Sequence, residues 1–72
     1  MNDISTLKTG DRIVFSNGHE SPVAKVMDAE DSLIIYFVNE KGVELNLYFS
    51  KETGEAHGTH YEIIKVISNG SD

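Results

Sequence analysis

The residues best suited to chemistry are three histidines and a scatter of carboxylates. His57 and His60 stand three positions apart, with Glu55 just upstream and His19 distant in the chain. Imidazoles in such a set could ligate zinc or nickel. Gly54 and Gly58 bracket this stretch with flexible backbone, which preorganises two imidazoles poorly, so the expectation is no metal site and no cofactor. Asp28, Glu30 and Asp31 place three acids within four positions. They suit a solvated turn better than a calcium loop, which needs a longer ligand ladder with a central glycine. Ser16, Ser50 and Thr53 lack an identifiable histidine and acid to activate them, and no glycine pair opens a helix that would cradle phosphate. With neither an activated nucleophile nor paired carboxylates on rigid elements, the chain is expected not to be an enzyme.

The stronger signal is apolar. Leu33-Ile34-Ile35-Tyr36-Phe37-Val38 passes through Asn39-Glu40-Lys41-Gly42 into the alternating run Val43-Glu44-Leu45-Asn46-Leu47-Tyr48-Phe49. A three-residue turn over Glu40-Lys41-Gly42 puts Gly42 in the left-handed position that ends a type I turn with a bulge. In that register Phe37 faces Leu45, Ile35 faces Leu47 and Leu33 faces Phe49 on one side of the ribbon. Val38 faces Glu44, Tyr36 faces Asn46 and Ile34 faces Tyr48 on the other. The first of these strands is apolar on both sides, and only one side can line a small core. Ile34, Tyr36 and Tyr48 are therefore the candidate partner-binding residues, with three covers open: the N-terminal segment, a homodimer, or a protein partner. Tyrosine suits a half-wet interface, since its ring buries area while its hydroxyl keeps a hydrogen-bond partner.

The elements that must position this face read as strands, because Ile and Val are frequent, apolar residues recur with period two, and Gly, Asn and Asp fall at short intervals. Residues 1–9 form a lead-in whose Ile4 and Leu7 plug one end of the core. Strands are expected at Arg12–Ser16, Val23–Met27, within the two runs above, and at Ile63–Ile67. Between the first two, Asn17-Gly18 and Pro22 mark a loop. The polar stretch 50–60 is too long for a tight hairpin, and one helical turn is expected near Thr59–Glu62. Residues 68–72 should fray. The expected core is Leu7, Ile13, Phe15, Val26, Leu33, Ile35, Phe37, Leu45, Leu47, Phe49, Ile64 and Val66.

Seventy-two residues make one domain, and a chain of this size buries only about 60% of its unfolded surface. No cysteine is present, which removes disulfides and cysteine-based zinc sites and fits a reducing cytoplasm. No apolar run approaches the roughly 20 residues of a membrane span, and the start Met1-Asn2-Asp3-Ile4 lacks the charge and apolar core of a signal peptide, so a cytoplasmic location and no membrane partner are expected. Twelve acidic residues against six basic ones give a formal charge of −6, which disfavours nucleic-acid binding through phosphate neutralisation.

An all-β chain of five short strands with a long central hairpin suits a small closed barrel. Gly10-Asp11-Arg12-Ile13-Val14, Val23-Ala24-Lys25-Val26 and Tyr61-Glu62-Ile63-Ile64-Lys65-Val66 resemble the corresponding strands of SH3-like barrels, the group that includes Tudor-like and KOW-type modules, and in particular the short barrels of bacterial and phage accessory proteins. The resemblance spans residues 7–67 and implies a non-catalytic module. Ala24 stands where the KOW pattern has glycine, a departure that counts against RNA binding. The Tudor-like aromatic cage has only Phe15, Tyr36, Tyr48 and Tyr61 to draw on, and core packing accounts for them better. The expected function is docking of a protein partner through Ile34, Tyr36 and Tyr48. The alternative is an inhibitor whose acids, Glu20, Asp28, Glu30, Asp31, Glu52 and Glu55, imitate a phosphate array, with Asp28, Glu30 and Asp31 at its centre.

Overall fold

In the computed structural model, which describes residues 4–68, every regular element is a strand. There are six: β1 (Arg12–Phe15), β2 (Glu20–Pro22), β3 (Lys25–Ala29), β4 (Ser32–Val38), β5 (Glu44–Ser50) and β6 (Ile63–Ile67). They form two antiparallel three-stranded sheets, ordered β2-β1-β6 and β3-β4-β5, rather than one closed five-stranded barrel. The additional strand is β2, in a stretch expected to be loop. Pro22 is accommodated because it ends an edge strand, where a missing N–H costs least. The helical turn expected near Thr59–Glu62 does not form. In its place Glu55 and Ala56 bridge to Glu62 and Phe49, so residues 54–57 clip β5 to the start of β6. Residues 1–3 and 69–72 of the expected lead-in and tail lie outside the described residues.

The central hairpin has the register that its side-chain pattern requires: Phe37 opposes Leu45, Ile35 opposes Leu47, Leu33 opposes Phe49, Tyr36 opposes Asn46 and Ile34 opposes Tyr48. Its turn closes by hydrogen bonds from Asn39 N–H to the Val43 carbonyl and from Gly42 N–H to the Asn39 carbonyl. The Asn39 side-chain oxygen accepts from the N–H groups of Lys41 and Val43. Gly42 sits at φ 81°, in the left-handed region where a Cβ is disfavoured. On the other side of β4 the turn is two residues long, Glu30 and Asp31, with Ala29 opposite Ser32.

The sheets meet where β2 passes into β3 through Val23 and Ala24. Val23 N–H donates to the Asp11 carbonyl, and Ala24 N–H donates to the Tyr36 carbonyl, so neighbouring residues bond to different sheets. Ser21 is buried at the same corner, where its hydroxyl accepts from Val38 N–H and donates to the Pro22 carbonyl.

Alternate residues of β1, β4 and β5 face the core, which is filled by Ile4, Leu7, Ile13, Phe15, Val23, Leu33, Ile35, Phe37, Phe49, Ala56 and Ile63. Phe15, Phe37, Phe49 and Tyr61 interleave within it, with ring centroids 5.0–6.1 Å apart in tilted, stacked or edge-on pairs. Burying each such phenylalanine contributes about 1.5–3 kcal/mol. Ile64, expected inside, is 48% exposed while Ile63 is fully buried. The pairing of β1 with β6 shifts by one residue between Val14 and Phe15, and that shift reverses which side chains point inward. Val26, Leu45, Leu47 and Val66, also expected inside, are only partly buried and pack against this core.

Candidate binding face

Three strands build the outer face of the β3-β4-β5 sheet. Met27 lies opposite Ile34, which lies opposite Tyr48, so one row crosses all three strands. In the adjoining row Lys25 lies opposite Tyr36, which lies opposite Asn46. Ile34 and Tyr36 are half-buried, whereas Met27 and Tyr48 are 42% and 52% exposed. The three residues expected on this face are therefore brought together. Met27 and Lys25 extend it; the sequence of β3 alone does not place them there, because its register is set by the two-residue turn at Glu30 and Asp31. Lys25 Nζ lies 5.8 Å from the centroid of the Tyr36 ring, a cation–π geometry.

The N-terminal segment does not cover this face over its described part. Ile4 and Leu7 are buried in the core, and Ile4 N–H donates to the Lys51 carbonyl.

The acidic candidates lie at one end of the same sheet. Asp28 is ion-paired with Lys51, whose hydrogen bond and charge hold its carboxyl below the usual range. Glu30 and Asp31 form the turn, with Glu30 at φ 60°, an uncommon conformation for a residue with a Cβ. Glu30, Asp31, Ser50, Lys51 and Glu52 line an open depression of about 400 Å³. Lysine in its wall interrupts any continuous negative array. The Ser50 hydroxyl accepts from the N–H groups of Glu52 and Thr53 and so shapes the turn.

The remaining candidates are dispersed. Among the described residues no three His, Asp or Glu side chains converge as a metal site. His57 and His60 are exposed on the clip and its return, while His19 stacks on Phe15 at 5.9 Å and its Nε2 lies 2.7 Å from the Val38 carbonyl. That carbonyl only accepts, so Nε2 carries the hydrogen. The four aromatics of an imagined cage split between two places, Phe15 and Tyr61 with the core and Tyr36 and Tyr48 on the outer face. No described helix is long and apolar enough to cross a membrane.

Comparisons with protein-family models, with curated proteins and with solved structures return no match to this chain.

Proposed function

We propose that this chain is a non-catalytic, SH3-like binding module, of the kind found as small bacterial or phage accessory proteins, that docks a protein partner through the outer face of β3, β4 and β5. Support for the SH3-like assignment comes from chain order. Residues 20–29 run as two strands interrupted only by Val23 and Ala24, one serving each sheet, and β6 returns to pair antiparallel with β1. That is how one long bent strand joins the two halves of such a barrel.

The observation that carries the docking function is the row Met27–Ile34–Tyr48 beside Tyr36, an apolar band with aromatic anchors in which Met27 and Tyr48 stay exposed. Exposed apolar surface rimmed by polar groups marks interaction sites, and tyrosine is among the residues that dominate their energetics. The phosphate-mimicking alternative is weaker because its acids do not act as a set: Asp28 is neutralised by Lys51 and Glu20 by Arg12.

Affinity capture from a lysate of the source organism, at low and high salt, separates the two. Apolar docking is expected to persist at high salt, where exposed charges are screened, and to weaken by about 30-fold in Tyr36→Glu or Tyr48→Glu. Capture that vanishes with salt and with neutralisation of Asp28, Glu30 and Asp31, yet tolerates both tyrosine variants, would replace docking by mimicry.

A further inference from the structure

Four strands end the two sheets, β2 and β6 in one and β3 and β5 in the other. An edge strand offers unpaired N–H and C=O groups to any other strand, and proteins blunt it with proline, charge, irregularity or brevity. β2 has three residues and ends on Pro22. β6 carries Lys65 and an irregular register. β3 carries Lys25 and Asp28, the latter ion-paired to Lys51. β5 differs: seven residues, no proline, and Glu44 as its single charge.

The clip uses part of this edge. Ser50 N–H donates to the Glu55 carbonyl and the Tyr48 carbonyl accepts from His57 N–H, so even-numbered residues of β5 direct their backbone groups away from β4. After His57 the chain turns off at Gly58, φ 78°. Among the described residues no backbone group meets Asn46 or Glu44 on this side. The side chains along it are equally unfinished. Leu45 and Leu47 lie on the core-facing side of β5 but stay partly exposed while Phe49, next in their row, is fully buried, and Val43 is 52% exposed.

We propose that β5 pairs antiparallel with β5 of a second copy of this chain, about a two-fold axis at Leu45. Charge and sterics select that register. Centred on Leu45, Leu45 meets its own counterpart, Val43 meets Leu47, and the Glu44 carboxylate meets the Asn46 carboxamide, a donor. Centring on Glu44 sets two carboxylates face to face. Centring on Asn46 sets Glu44 against Tyr48, whose edge His57 already occupies. The Leu45 register alone pairs every open backbone group at Glu44 and Asn46 and covers Val43, Leu45 and Leu47 on both copies, an isologous contact that closes on itself. The product is one continuous sheet, β3-β4-β5 joined to β5-β4-β3. The contact is small, which makes it reversible and concentration-dependent. It does not use Ile34, Tyr36 or Tyr48, the residues proposed for docking.

Sedimentation of the full chain from micromolar to millimolar concentration, with amide hydrogen exchange, tests this. A reversible dimer is expected, with protection of the Glu44 and Asn46 amides rising with concentration. Asn46→Pro removes a donor that the monomer leaves unused, and is expected to raise the dimer dissociation constant about tenfold or more. Leu45→Lys should do the same by placing charge at the axis. A chain that stays monomeric throughout overturns the proposal, as does a dimer that survives both variants, or one that dissociates on Tyr36→Glu while tolerating Asn46→Pro. If either variant fails to fold by circular dichroism, the exchange pattern of the unmodified chain decides: no concentration-dependent protection at Glu44 and Asn46 refutes edge pairing.

Discussion

Tyr61 shows how one side chain ties loops to the core. Its ring packs on Phe15 and Phe37 at 5.0 and 5.2 Å, while its hydroxyl donates to Glu40 Oε1 at 3.4 Å. Glu40 also accepts from the Asn17 side chain at 2.8 Å, so three loops converge on one carboxylate. Burial, then the neighbouring Glu40 charge and hydrogen bond, push the Tyr61 hydroxyl above its ordinary value of 10.0. A raised folded-state value means that folding favours the neutral phenol. The stability this confers is complete below the unfolded value and is lost as pH rises through the folded one. The difference in unfolding free energy between the native chain and Tyr61→Phe, read from urea melts, is therefore expected to hold constant at neutral pH and to shift against the native chain above about pH 10. A pH-independent difference would remove this account of Tyr61.

Between elements, Ser21 does what a longer strand would otherwise do. β2 stops at Pro22 and β4 belongs to the other sheet, so Val38 N–H at the end of β4 has no backbone partner across the corner. The Ser21 hydroxyl supplies one, at 2.9 Å, from a site that is 1% exposed. Ser21→Ala leaves that N–H without its acceptor and is expected to cost about 1–3 kcal/mol, measured by denaturant unfolding. Ser21→Thr, which keeps the hydroxyl but adds a methyl to a buried site, separates loss of the bond from loss of packing. The outer turns tell the converse story. Asn39 and Gly42 carry their geometry in their own chemistry, and the hairpin register was legible from them and from the alternation of β5. Ser21 and Pro22 carry no such pattern, since three residues are too few to show alternation.

At the scale of the molecule, two sheets share one core and one corner. Phe15 of the first sheet touches Phe37 and Phe49 of the second, and Val23 and Ala24 bond to both. Neither sheet is able to bury its apolar face without the other. The chain is thus expected to unfold as a single cooperative unit, with far-ultraviolet circular dichroism and tyrosine fluorescence tracing coincident thermal transitions at low protein concentration. Separate midpoints would mean that the sheets melt independently.

Residue order was sufficient for the strand class, for the central hairpin with its register, and for the outer face of Ile34, Tyr36 and Tyr48. Each of these follows from local alternation and turn chemistry, which need no knowledge of distant segments. The division into two sheets, the short strand at Glu20–Pro22, the burial of Ile63 in place of Ile64 and the clip at residues 54–57 came only with packing. Long-range pairing produced all four: a one-residue shift against β1 reverses inside and outside in β6, and bridges to Phe49 and Glu62 give order to a polar stretch that carries no period of its own.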